Sequence, residues 1–136
     1  MTAKIKTFVD ANVLIAAWRG DFPYSTVAAQ IVSDGGRDYV ASMYVKMETQ
    51  AKAEFFNNRD EATFYQTYFD NVAFWVEATA KLADEAYEVA RIFGLRALDA
   101  LHVAAALSVG ADEFVTAERA TSPLSRVRGV QIVSIK

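Results

Sequence analysis

Cysteine is absent from this 136-residue chain, histidine occurs once and proline twice. The first absence removes disulfides, zinc–thiolate sites and thiol catalysis together. No apolar run approaches the ~18 residues that a membrane span requires, so no membrane role is expected. The opening MTAKIKTF lacks the apolar centre of an export signal, and a cytoplasmic location is the expectation. Repeats, low-complexity tracts and linker-like stretches are missing too, and the six glycines are scattered as punctuation. A net charge of −3 gives no chain-wide attraction to nucleic acid. A role there would need local basic groups, or metal ions that neutralise acids. What is present is ordinary globular material, 53% hydrophobic and 23% charged. The length suits one domain, residues 1–136, with a sizeable core.

Short apolar, β-branched and aromatic runs predict strands at 5–9, 38–42, 72–76, 113–116 and 130–135. Between them, helical spacing and stop signals predict helices over 12–18, 25–33, 45–56, 60–70, 79–93 and 98–109. Glycines at 20, 35–36, 94 and 110 end four of these helices or the turns after them. Several short strands separated by helices imply a parallel sheet covered on both faces. The expected fold class is α/β, a three-layer α/β/α domain with about five central parallel strands.

Four acids stand in unusual places. In KTFVDANVLIAAW the apolar strand stops at Asp10, with Asn12 two positions later. In open α/β sheets, ligands bind beyond the carboxyl ends of strands where strand order reverses. Helix capping is the competing explanation for Asp10. Glu48 falls among Tyr44, Met47, Ala51 and Phe55, read as one apolar stripe of the 45–56 helix. A carboxylate there needs a cation, a metal or water, and Lys52, four residues on, is one available partner. Asp99 sits in the first turn of ALDALHVAAAL, a helix with few other polar residues. The helix dipole accounts for an acid at that position, whereas His102, one turn on, reads as a hydrogen-bonded core residue and not a ligand. Glu118 follows the strand that ends at Thr116, repeating the pattern of the first strand. Asp112 and Glu113 lie at the opposite end of that strand, away from a shared site.

Crowded carboxylates repel one another unless a cation is present or some stay protonated. Hard divalent ions with oxygen ligands, Mg²⁺ or Mn²⁺, suit such a cluster. These ions orient a phosphodiester, activate water and stabilise a leaving oxygen. An acid cluster of this kind therefore points to nuclease chemistry without a catalytic thiol or imidazole.

The ordered segments FVDANVLIAA, YVKMETQAKAEF, ALDALHVAAAL and FVTAER resemble the motifs of PIN domains across essentially the whole chain, in particular those of VapC-type toxins. The resemblance implies a five-stranded parallel sheet with the first and fourth strands adjacent. It implies metal-dependent endonucleolytic hydrolysis of RNA, leaving a 5′-phosphate and a 3′-hydroxyl. Asp10, Glu48 and Asp99 match the family's first three acids, and Glu118 stands where the fourth is more often aspartate. These four are the expected catalytic and metal-binding residues. Asn12 and Thr116 match its supporting polar positions. An RNA substrate, a small antitoxin protein and a homodimer are the implied partners. Arg19, Lys52, Arg96 and Arg119 lie near these motifs and are candidates to meet RNA phosphates.

Two other readings compete. A haloacid-dehalogenase-type phosphatase also uses a strand-end Asp, but has a second Asp where this chain has Asn12, and needs a lysine near a later strand end. A PIN-like module that binds RNA or protein without cutting is the other, and the Glu118 replacement and the acidic net charge are what favour it.

Overall fold

The structure, a computed structural model, describes residues 3–136; Met1 and Thr2, included in the expected 1–136 domain, lie outside the described residues. Five strands form one parallel sheet: β1 (Ile5–Val9), β2 (Arg37–Ser42), β3 (Phe74–Val76), β4 (Glu113–Thr116) and β5 (Gln131–Ser134). Their order is β3-β2-β1-β4-β5. From β1 the chain builds outward through β2 and β3, then returns to lay β4 on the other side. The reversal falls between β1 and β4, whose register pairs Phe8 with Phe114 and Val9 with Val115. Asp10 and Thr116 thus arrive together at the crevice between two strands distant in sequence, the usual ligand position of such sheets.

Helices α1 (Ala11–Arg19), α2 (Ser25–Val32), α3 (Met43–Glu48), α4 (Gln50–Phe55), α5 (Arg59–Asp70), α6 (Ala80–Phe93) and α7 (Ala97–Ser108) cover the sheet. The strands alternate with crossover helices, as an α/β/α sandwich requires. Phe8 and Phe114, both fully buried, stack across β1 and β4 with ring centres 5.0 Å apart. The run Val103-Ala104-Ala105-Ala106 of α7 is buried as well, because small side chains let this helix lie close on the sheet. Among the described residues no helix is long and apolar enough to cross a membrane.

The α/β expectation holds, with element ends shifted by a residue or two; β3 is shorter than the 72–76 run. A short 3₁₀ turn at Pro123–Arg126 was not foreseen. The expected 45–56 helix is broken. Thr49 takes φ −116° and ψ −79°, its hydroxyl donates to the Val45 carbonyl at 2.9 Å, and α3 gives way to α4. A hydroxyl bonded back one turn is a recognised cause of such a bend. The stripe assigned to the core also faces outward: Met47 is 56% and Phe55 79% exposed. Val45, Thr49 and Ala53 are the buried face instead. The aromatics of the two neighbouring segments divide: Tyr65, Tyr68 and Phe69 of α5 are buried, whereas Phe55 and Phe56 are exposed.

Acids at the lower, amino-terminal edge of the sheet are structural, as their position implied. Glu113 accepts from Thr7 Oγ1 and from Arg37 Nε, each at 2.9 Å, while Arg37 also pairs with Asp34. Asp112 accepts from the Lys6 amide at 2.8 Å.

At Gly94, which ends α6, the backbone is left-handed (φ 68°, ψ 39°), and an added Cβ would lie 2.9 Å from Arg126 Nη1. Since that guanidinium can move aside, the cost of Gly94→Ala should be chiefly conformational, about 1–2 kcal/mol. Urea unfolding measures it, and an unchanged midpoint would refute this account.

Candidate active site

Asp10 serves two purposes at once. Its Oδ1 accepts from the Ala11 amide at 2.9 Å, capping α1, and its Oδ2 accepts from Thr116 Oγ1 at 2.9 Å. Capping and site membership were posed as competing explanations, yet the two oxygens divide the tasks. Thr116 is fully engaged as well. Besides donating to Asp10, its hydroxyl accepts from the Glu118 amide at 3.1 Å and from Asn12 Nδ2 at 3.4 Å. A hydroxyl offers one proton and two lone pairs, so its capacity is filled. Asn12 closes the brace by accepting from the Ala117 amide through Oδ1 at 2.9 Å. Asn12 and Thr116 therefore tie the end of β1 to the end of β4.

Glu48 arrives from the last turn of α3 and meets α7. His102 Nε2 lies 2.5 Å from Glu48 Oε1, with the ring 1% and the carboxylate 31% exposed. Asp10, Glu48 and His102 each present one ligand atom within 4.8 Å of the others. Two expectations change here. Glu48 does not pair with Lys52; its partner is the imidazole. His102, set aside as core, is indeed buried and hydrogen-bonded, but what it bonds is a site carboxylate. The signal in the sequence was the Asp99–His102 spacing: three residues on a helix share a face. The remaining ring nitrogen, Nδ1, is buried without a partner.

Asp99, in the first turn of α7, is half-buried; Glu118, in the loop after β4, is partly buried. Burial raises the Asp99 carboxyl above its ordinary value, against the opposing pull of Arg96 and His102, with Glu118 and Glu48 adding to the rise. Burial also raises Asp10, to about 6, with His102 and Thr116 opposing and Asp99 and Glu48 reinforcing. The four predicted acids are thus electrostatic neighbours. Asp10, Glu48 and His102 form the tight group, Glu118 acts on Asp99, and Glu48 acts on both Asp10 and Asp99. Of the four predicted cations, Arg19 and Lys52 line a cleft of about 370 Å³ that also holds Glu48. Arg96 precedes α7 beside Asp99, and Arg119 opens a separate cleft beyond Glu118.

The donor set fits a hard divalent cation: the hydrogen-bonded carboxylates of Asp10 and Glu48, with Asp99 and Glu118 as acidic neighbours and one imidazole among them. Soft thiolate donors are absent from the sequence.

Comparison with known proteins supplies a frame. A model of the PIN domain family matches residues 7–129. Among curated proteins no sequence matches significantly. Solved structures of similar fold include VapBC2 from Rickettsia felis bound to a DNA fragment from its promoter, with TM-score 0.71, 12% identity, and 96% of this chain and 98% of that chain covered. A toxin–antitoxin complex from Klebsiella pneumoniae gives TM-score 0.70 at 15% identity over 96% and 98% of the two chains. VapC20 from Mycobacterium tuberculosis, described as a Sarcin-Ricin loop cleaving toxin, gives 0.63 at 17% identity over 88% and 93%. Identities this low speak to shared fold.

The raised Asp10 carboxyl makes a signed prediction. Its folded-state pKa lies above the unfolded value, so the neutral form favours folding. That contribution is complete below about pH 4 and is lost as pH rises through about 6. That rise corresponds to roughly 3 kcal/mol. Asp10→Asn keeps a capping oxygen and removes the charge, while giving up the acceptor for Thr116 at a cost of about 1 kcal/mol, less than the charge is worth. In EDTA at pH 7.5 the variant should melt above wild type, and the gap should close on acidification toward pH 4. A variant less stable than wild type at neutral pH would refute the buried-charge account.

Proposed function

The chain belongs to the PIN domain family, and from that premise we propose that it is a Mg²⁺- or Mn²⁺-dependent endoribonuclease, the toxin of a VapC-type toxin–antitoxin pair. The observation that carries this reading is the meeting of Asp10 and Glu48 with His102, flanked by Asp99 and Glu118, at the switch point of the sheet. The neighbouring folds include toxin–antitoxin complexes, which supports a small protein antitoxin as partner; a homodimer is the proposed resting state.

Asp10, Glu48, Asp99 and Glu118 would hold the ion or ions, directly or through water. Bound there, a divalent ion would polarise the phosphodiester, acidify water and offset charge on the leaving oxygen. The side chains of this chain do the rest. Asp10 is held by its two hydrogen bonds, with lone pairs left on both oxygens. Glu48 has Oε1 anchored by His102, leaving Oε2 without a hydrogen-bond partner among the described residues. Asp99 would complete the primary ion site with Asp10, while Glu48 and Glu118 would complete the shell, bind a second ion, or orient and deprotonate the attacking water. Arg19 and Lys52 rim the Glu48 cleft and meet substrate phosphates. His102 is a positioning residue, because it reaches the reaction through Glu48.

Single-stranded RNA should be cut in Mg²⁺ or Mn²⁺ and left whole in EDTA. Asp99→Asn should lower the rate by about 100-fold or more with the fold retained; full cleavage by that variant would contradict the scheme. Saturating Mn²⁺ should raise the melting temperature of wild type, by about 2.7 kcal/mol of stability at a hundred times Kd.

His102 gives a separate test. His102→Gln keeps an N–H donor, whereas His102→Leu fills the space and leaves Glu48 unheld. Loss of such a support usually weakens a metal site about 10–100-fold. Calorimetric Mn²⁺ titration should show that loss for the leucine variant and partial recovery for glutamine. Equal affinity in all three proteins would remove His102 from the site.

A further inference from the structure

Charge is not spread evenly along this chain. Residues 119–136 carry Arg119, Arg126, Arg128 and Lys136 and no acid, leaving ten cations against seventeen acids in the residues before them. The acidic total therefore conceals a basic carboxyl-terminal segment, which folds as the loop after β4, the 3₁₀ turn and β5.

Two of these cations already have packing partners. Arg126 donates through Nη1 to the Phe93 carbonyl at 3.2 Å, and Lys136 Nζ lies over the Tyr24 ring, 5.3 Å from its centre. Arg119 and Arg128 are different. Both are exposed, and neither guanidinium has a hydrogen-bond or ion-pair partner among the described residues. They share one cleft of about 320 Å³, whose floor includes Ile132 and whose polar groups are Ser125, Gln131 and Ser134. No acid lines it. Two unpaired guanidinia around a partly apolar floor suit a ligand with phosphates on a flat, uncharged body.

The cleft adjoins the site. Arg119 follows Glu118 in sequence, and Ser134, which lines the cleft, donates through Oγ to the Glu118 carbonyl at 2.5 Å. Arg19 and Lys52 share a second cleft, with Glu48. Cations therefore lie beside both Glu48 and Glu118, so that a strand bound at the cluster could meet a positive group at more than one phosphate.

We propose that the Arg119–Arg128 cleft is a subsite for the backbone and one nucleotide of a single-stranded RNA, on the Glu118 side of the cleaved bond. The proposal rests on the nuclease reading above and gives a binding role to Arg128, which no motif signals. Guanidinia grip phosphate by paired N–H donors, and each such contact to a single strand adds about 0.7 to the slope of log affinity against log salt.

The test is fluorescence anisotropy of a short labelled single-stranded RNA on the full chain, in Ca²⁺ without Mg²⁺, over a salt series. Arg119→Gln/Arg128→Gln should bind about tenfold more weakly at low salt, with the salt slope reduced by about 1.4. Arg128→Glu alone should weaken binding by at least as much as Arg128→Gln. Mn²⁺-induced thermal stabilisation should persist in every variant, which shows that the fold and metal centre survive. RNA bound by wild type and variants with equal affinity and slope would overturn the subsite while leaving the nuclease reading standing. Wild type that neither binds nor cuts RNA would overturn both. Unchanged RNA binding with lost affinity for a glutamate-rich peptide would assign the cleft to an acidic protein partner and overturn the proposal.

Discussion

One hydroxyl joins the parts of this site. Thr116 Oγ1 touches the carboxylate that ends β1, the amide side chain of Asn12 in α1 and the backbone of the loop carrying Glu118. It does so from the end of β4, more than a hundred residues from Asp10 in sequence. Pairing of β1 with β4 brings the groups within range, and the hydroxyl sets their orientation. A valine would fit this buried position by shape but would strand three polar groups, which is why a threonine closes a strand that is otherwise apolar. Glu118 depends on the same atom, since its amide is bonded to it while Ser134 holds its carbonyl.

The joint is needed because the site works against the fold. Burial at the crevice raises the Asp10 and Asp99 carboxyls, and the neighbouring acids add to the rise. The structure offsets this only partly, through the capped amide of α1, the Thr116 hydroxyl, His102 beside Glu48 and Arg96 beside Asp99. The proposed divalent ion would supply the remaining compensation, because a cation among carboxylates favours their charged form. The lower edge of the sheet shows the contrast. Glu113 there has Arg37 and Thr7 within 2.9 Å, and its charge is satisfied by the protein itself. The same residue type is structural at one end of a strand and available for chemistry at the other.

What could be read from the residues follows this division. Apolar runs gave the five strands, and polar residues placed abruptly at their ends gave Asp10, Asn12 and Thr116. Those signals are local, because a strand end is visible in sequence. The face of α3 and α4 was not legible. Hydrophobic periodicity assumes that buried means apolar, but Thr49 and Gln50 are buried through hydrogen bonds while Met47 and Phe55 are left in solvent. Glu48 was selected by an argument about the wrong face, yet it lies in the site. His102 was missed for a related reason. Its burial was expected, but the identity of its partner depends on the crossing of α7 and α3, which spacing along one helix does not contain.

The exposed surface of α3 and α4 then has a consequence for how the site can move. Glu48 sits on the short helix just before the Thr49 break, and among the described residues its side chain hydrogen-bonds only to His102 on α7. Asp10 and Thr116, in contrast, are anchored in the sheet. The cluster is therefore built from a rigid half at β1 and β4 and a half held by a single imidazole contact between two helices. Under the proposed function, a site divided in this way would accept an ion by a small shift of α3 without disturbing the sheet. On that reading the His102–Glu48 contact, and not the strand pairing, would couple metal binding to local stability. Covering the exposed face of α3 by another protein surface would act on the same contact, because whatever orients that helix orients Glu48.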